Sequence, residues 1–305
     1  MSVFTRLLAV SDDSNRGKLA LRKAVQLANA SHAELTLLRV KTPKYQGIGQ
    51  WLQQKVHPQP LVSHLREKRP HYPSRELNLC LKQCQAKDLP TAILTELKQA
   101  HYDLLLVEHH SYSALQCELG HTDDWQLLQR VSLPVMFVSD SPWEQQGSLL
   151  AALELDEDTE DHSHFNHRLL QQAFDFASLL QQRLHLLNCY QEADISMAFD
   201  NQQPGCRSQK DNQWQKLRQV ARPLALSDEQ LHLASGMPDH VVPEAAHKWH
   251  SNIVIMGAAE HRGLLSELNG HASEQMLNQL QCDVLALKPV VPCCIESLKR
   301  PPTIE

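Results

Sequence analysis

Short runs of wholly apolar residues recur along the chain, each parted from the next by a longer amphipathic or polar stretch. They fall at Leu7–Val10, Leu35–Val40, 77–81, Asp103–Val107 and Pro134–Val138, and again at Leu149–Leu153, Leu184–Tyr190, 231–234, Asn252–Met256 and Asp283–Leu287. Runs that stay apolar instead of alternating predict parallel strands buried on both faces, and they are too short to read as helices. Between them, Leu19, Leu21, Val25 and Ala28 give one apolar helix face, and Leu169, Leu170, Ala173, Phe174 and Ala177 another. Further helices are predicted at 90–100, after a turn at Pro90, and at 239–249, after Gly236-Met-Pro238. One more is expected between the last two strands of each set, and at least one in each polar stretch after the second strand. Strand and helix alternate throughout, which is an α/β pattern.

The pattern is doubled. Asp103–Val107 matches Asn252–Met256, and Pro134–Val138 matches Asp283–Leu287, both 149 positions apart. The same offset aligns Leu35–Val40 with Leu184–Cys189, and Ala24 and Ala28 with Ala173 and Ala177. A period that holds over so long a stretch marks a tandem duplication, with domains expected at 1–143 and 144–291 and a tail at 292–305. One departure stands out. Asp12 precedes Ala24 by twelve residues, whereas Glu154 precedes Ala173 by nineteen, which predicts a seven-residue longer loop after the first strand of the second half. That stretch, Glu154–Asp161, holds six carboxylates in eight residues and is expected to be solvated.

Composition narrows the function classes. A chain of 305 residues suits two domains, and 42% hydrophobic with 21% charged residues excludes wholesale disorder. A net charge of −6 argues against direct nucleic-acid binding, which needs a basic stripe. No apolar run reaches the ~20 residues of a membrane-spanning helix. The N-terminus lacks a signal h-region, so a cytoplasmic location is expected. The eight cysteines form no C-x-x-C, which fits a reducing compartment better than a disulfide framework. The G-x-S-x-G elbow, the P-loop and the Rossmann glycine motif are all missing, so no enzyme is expected. Adjacent Cys293 and Cys294 are read as inert.

Several motifs carry a family resemblance: Gly236-Met-Pro-Asp-His-Val-Val242, Asn252-Ile-Val-Ile-Met-Gly257, Gly263, Asn269-Gly270-His-Ala-Ser-Glu-Gln275, and Gln281-Cys-Asp-Val-Leu-Ala-Leu-Lys-Pro289. In the first half, Asp12 with Ala20–Val25, Thr122–Gln129 and Leu133–Val138 add to it. These segments resemble the universal stress protein family in its tandem form, most closely its E type. The resemblance implies two flavodoxin-like (adenine nucleotide alpha hydrolase-like) domains. Each would hold a five-stranded parallel sheet of order 3-2-1-4-5, and the two would pack as a pseudo-twofold intrachain dimer. It also implies a role in stress survival, including resistance to DNA damage.

Members that bind ATP carry G-x2-G-x9-G-[S/T] after the fourth strand, where glycines admit backbone N–H groups to phosphate and a helix N-terminus adds its dipole. In the second half the loop reads Gly257, Glu260, Gly270 and His271, so two of four fixed positions survive. A carboxylate ~5 Å from a phosphate charge costs roughly 3 kcal/mol at an effective dielectric of ~20. Arg262, Gly263 and Ser273 remain as candidate ligand contacts, and Glu154 stands where the family has aspartate. In the first half the equivalent cleft holds Asp12, Glu108, His109 and His110, with no phosphate cradle. The expectation is a protein without strong ATP binding and with no required cofactor. It would act on an unidentified small molecule or partner protein, as a monomer or as a homodimer. The rival reading is an ATP switch using the second half alone. A metal on Asp161, His162, His164 and His167 is a third, less favoured reading, since surface histidines explain that group. Trp51, Leu52 and Val56 are read as core packing, with a lid over a pocket as the alternative.

Overall fold

The computed structural model describes residues 4–11, 17–41, 77–109, 122–155, 160–190, 209–258 and 276–288. The first half contains β1 (Arg6–Ser11), α1 (Gly17–Ser31), β2 (Glu34–Lys41), β3 (Leu79–Gln85), α2 (Leu89–Gln99), β4 (Leu104–Glu108), α3 (Asp123–Arg130) and β5 (Val135–Val138). The second half contains β6 (Ser148–Leu153), α4 (Glu160–Leu180), β7 (Arg183–Tyr190), α5 (Gln209–Ala221), β8 (Leu231–Ser235), α6 (Pro238–Lys248), β9 (Ser251–Gly257) and β10 (Asp283–Leu287), with a helical turn at 276–279 before the last strand.

All ten strands form one sheet, ordered β3-β2-β1-β4-β5-β10-β9-β6-β7-β8. The order 3-2-1-4-5 is thus present in each half, and the two expected sheets join edge to edge. Pairing is parallel within each half and antiparallel between β5 and β10. Met136 pairs with Leu285, its own counterpart at the 149 offset, so the pseudo-twofold axis passes through that pair. Because the halves run in opposite directions, the carboxyl ends of their strands lie at opposite ends of the sheet.

The strands are continuous apolar runs because helices cover both faces. Leu7, Ala9, Leu149 and Ala151 face one layer, which includes residues of α1, α4 and α5. Leu8, Val10, Leu150 and Ala152 face the other, which includes residues of α2, α3 and α6. On α1 the buried stripe is Ala20, Leu21, Ala24, Leu27 and Ala28, while Leu19 and Val25 flank it half-buried. Helices α1 and α4 lie on the same face, and the Phe4 and Phe176 rings meet edge to face at 5.4 Å between the halves. Both helices end alike: His32 (φ 56°) and Gln181 (φ 55°), which are 149 apart, take the left-handed conformation that closes a helix.

Two expectations shift. The third strand runs Leu79–Gln85 instead of 77–81, because β2 is eight residues long and its ladder recruits Lys82, Gln83 and Gln85. As an edge strand, β3 has no need to be apolar throughout. The longer loop proves to be a longer helix. Helix α1 starts at Gly17 after β1 ends at Ser11, and α4 starts at Glu160 after β6 ends at Leu153, so the gaps are nearly equal. The added length lies in α4, which has 21 residues against 15 in α1. Glu160 sits in its first turn, where the helix dipole favours a carboxylate.

The seam is also tied by charge. Lys23 on α1 places Nζ 2.6 Å from Asp283 Oδ1 at the start of β10, with both side chains buried. Asp283 accepts further from the backbone N–H and hydroxyl of Ser139 and, at 2.7 Å, from the Trp143 indole. Burial pushes the Asp283 carboxyl up from its ordinary range, and Lys23 and these donors pull against that push.

Candidate ligand clefts

In open α/β sheets, ligands bind beyond the carboxyl ends of the strands. In the first half that end is closed by side chains. Glu108 is the last residue of β4 and is buried. His109 follows, its backbone N–H donating to Val138 O at 2.8 Å. Its Nδ1 lies 2.7 Å from Asp124 Oδ2. A carboxylate only accepts, so Nδ1 donates, and Nε2 is buried without a partner among the described residues. Asp124 is delivered by the first turn of α3, whose N-cap Thr122 accepts from the Trp125 N–H at 3.2 Å. Asp12 and His110 lie outside the described residues.

In the second half, Gly257 ends β9 and Glu154 directly follows the neighbouring strand β6, so the two lie at adjacent strand ends. Ala258 N–H donates to Leu287 O at 2.8 Å, repeating the His109–Val138 bond at the 149 offset. Glu154 is buried, and its carbonyl accepts from Asn166 Nδ2 (2.8 Å) and from His162 Nε2 (3.0 Å). The Glu154 carboxylate lies 4.0 Å from the same imidazole nitrogen. Glu260, Arg262, Gly263, Gly270, His271 and Ser273 lie outside the described residues, as do Trp51, Leu52 and Val56.

The α4 histidines are not brought to one place. His162 is 1% exposed and turned toward Glu154, whereas His164 and His167 are exposed. Their separations around a helix of 3.6 residues per turn explain the split. Among the described residues, no group of three or more His, Cys, Asp or Glu could hold a metal ion. The described cysteines are free thiols. Burial pushes the Cys282 thiol up to about 12 and Cys84 above its ordinary value, so neither is poised as a thiolate.

Sequence reasoning missed the polar floor beside Glu154. Asn188, fully buried on β7 next to Leu153, donates Nδ2 to Gln213 Oε1 at 3.0 Å. Lys216 donates to Leu155 O at 3.1 Å. The available signal was an asparagine inside an apolar strand. Asp124 was missed as the partner of His109, although Thr122 followed by two aspartates is an N-cap pattern. The arrangement can orient a polar ligand by hydrogen bonds on rigid elements.

A doubled, mostly parallel α/β sheet of order 3-2-1-4-5 in each half defines a tandem protein of the flavodoxin-like α/β class. The universal stress protein family model matches residues 4–139 and again 160–288, and the chain belongs to that family. It is 27% identical to the universal stress protein E homolog of Haemophilus influenzae, over 94% of this chain and 98% of the relative. To universal stress protein E of Photorhabdus laumondii it is 23% identical, over 95% and 96%. Among solved structures, a functionally unknown Pseudomonas aeruginosa protein, PA1789, superposes with a TM-score of 0.68 at 23% identity, over 94% of this chain and 93% of that one. A universal stress protein of Archaeoglobus fulgidus gives 0.61 at 13% identity, over 95% and 99%. These likenesses carry the fold, and the family is consistent with a stress-response role. No helix among the described residues is long and apolar enough to cross a membrane.

Proposed function

We propose that the chain is a non-enzymatic, cytoplasmic stress-response protein that works by binding a small molecule or a partner protein, without strong ATP binding. The ligand enters the second-half cleft, with Glu154 and Gly257 at its base and Arg262, Gly263 and Ser273, from the segment that follows in sequence, as contacts. The observation that carries this reading is the buried Glu108 and the part-buried His109, where a phosphate loop needs bare backbone. In the second half Gly257 leaves the backbone open. Glu260 then stands in the place of a glycine, and a charge of that sign near a phosphate costs about two decades in affinity. By family resemblance the protein contributes to survival of DNA damage.

The test is a melting curve with Mg²⁺ and ATP, paired with native mass spectrometry of the purified protein. Micromolar ATP is expected to leave the melting temperature unchanged, while the native spectrum shows a bound mass absent after denaturation. A saturable ATP-dependent rise, lost in Gly270→Val, would replace this reading with an ATP switch in the second half.

A further inference from the structure

Where β6 and β7 begin, at the end of the second half opposite to Glu154 and Gly257, a cleft of about 450 Å³ opens beside the segment joining the halves. Small-molecule sites span ~300–1,000 Å³. In a chain with 35 acidic residues its lining is distinctive in charge: Gln145, Gln146, Gln181 and Gln182 supply four carboxamides, Arg183 supplies a guanidinium, and among the described residues no carboxylate lines it. Arg183 is exposed and has no ion-pair or hydrogen-bond partner among the described residues.

The remaining wall is flat and aromatic. Trp249 and His185 lie nearly parallel, 10° apart with centroids at 5.6 Å, and His232 stacks against Trp249 at 3.7 Å. The Trp249 indole N–H has no acceptor among the described residues. Gln182 donates Nε2 to Glu144 O, while its buried Oε1 has no donor there. His185 Nδ1 and His232 Nε2 share one hydrogen bond at 2.9 Å. Burial, with His185 and Lys248 adding to it, holds His232 down to about 4, and burial with Arg183 lowers His185, so the two imidazoles are neutral at neutral pH. The Lys248 ammonium lies 5.3 Å from the Trp249 ring centroid. The geometry is built in beforehand. Asn252 clasps Glu144 through both its N–H and its carbonyl at 2.8 Å. A Cβ on Gly147 would come within 2.3 Å of the Asn252 amide, so any other residue there would displace that clasp.

The geometry points to a second ligand site in this cleft, taking a small organic anion that carries a flat unsaturated ring. The carboxylate or phosphate group pairs with Arg183, the ring lies against Trp249 and His185, and the glutamine carboxamides meet its polar edges. The site shares no residue with the strand-end cleft and stands apart from the function proposed above.

The test is a titration of the full-length ¹⁵N-labelled protein with benzoate, phenyl phosphate, benzamide and inorganic phosphate, following the Trp249 indole resonance assigned through Trp249→Phe. Benzoate or phenyl phosphate is expected to shift it saturably, and the stronger of the two identifies the anionic group. Arg183→Gln should weaken that binding about tenfold or more, as should loss of charge in benzamide. Gln146→Glu, which puts a carboxylate at the rim, should weaken it similarly, and Lys98→Gln on α2 should leave it unchanged. The proposal falls if no probe gives a saturable shift or if Arg183→Gln and Gln146→Glu both bind like the parent. It falls also if inorganic phosphate matches the ring-bearing anions.

Discussion

The two halves end their fourth strands with the same backbone and opposite side chains. His109 and Ala258, 149 apart, each donate to the neighbouring fifth strand at 2.8 Å. Before them stand Glu108 in one half and Gly257 in the other. The duplicated ladder has therefore preserved the backbone at these strand ends, while the side chains there have diverged. One end is filled by a carboxylate and a histidine hydrogen-bonded to Asp124; the other keeps its glycine. Divergence after duplication acted on the ends of the strands and left their pairing alone.

The same comparison breaks most sharply at the seam. Lys23 and Asp283 join the halves, yet their counterparts at the 149 offset are Gln172 and Pro134, so the buried pair has no mirror image across the axis. Lys23→Met strands a carboxylate that is 0% exposed, and the expected loss is about 3–5 kcal/mol. Adding Asp283→Asn should recover much of it, while Gln172→Met should cost about 0.5 kcal/mol or less. Denaturant midpoints of the four proteins decide the matter. Equal losses from Lys23→Met and Gln172→Met would mean that the seam rests on apolar packing alone.

A smaller effect tests the closed strand end. Asp124→Ala leaves the part-buried Nδ1–H of His109 without its acceptor, and the expected cost is about 1–3 kcal/mol. His109→Phe combined with Asp124→Ala should cost less than Asp124→Ala alone, because no orphaned donor remains. A double-mutant cycle by thermal unfolding reads this directly.

Much of this architecture was legible beforehand, for physical reasons that also mark the limits. Strands buried on both faces leave unbroken apolar runs, so nine of the ten were placed within a residue or so, and the 149 period tied them into two copies. β3 was misplaced because an edge strand is exposed on one side and carries Lys82 and Gln83 in its ladder, which no apolar run announces. The acidic stretch before Ala173 read as loop because charge says nothing about whether Glu160 opens a helix. At the clefts, Glu154 and Gly257 were placed by alignment of the repeat. Asp124, Asn166 and Asn188 were not, since their roles depend on which element comes to lie over another. His162, His164 and His167 looked like one cluster in sequence, and helical rotation turns His162 inward, away from the exposed His164 and His167.

The smallest effect concerns the outer strands, where the ladders place Lys82 beside Leu38 and His232 beside Leu187, positions equivalent under the repeat. In the first half Lys82 sits 2.5 Å from Glu96, which also accepts from the Tyr102 hydroxyl. Burial alone would raise the Glu96 carboxyl, but these donors outweigh it and hold it below its ordinary value. In the second half the equivalent residue is an imidazole held down to about 4, first by burial and then by neighbouring His185 and Lys248. Both arrangements weaken in acid, in different windows. The unfolded chain takes up a proton at His232 below its ordinary 6.5 while the folded protein does not, so stability falls from about pH 6.5 down to about 4 and is flat above. The Glu96 contribution is present above the ordinary carboxylate value and is lost only as pH drops further, through its lowered value. Stability measured by urea unfolding at pH 7, 5.5 and 4.5 should therefore decline, and His232→Phe should flatten that decline. Glu96→Gln should lower stability at all three values without changing the slope between the first two. Because His232 is only half-buried, solvent screening keeps its share modest. An unchanged slope in His232→Phe would move the acid sensitivity of the second half away from His232, to His185 in the same stack, which burial and Arg183 also lower, or to groups elsewhere.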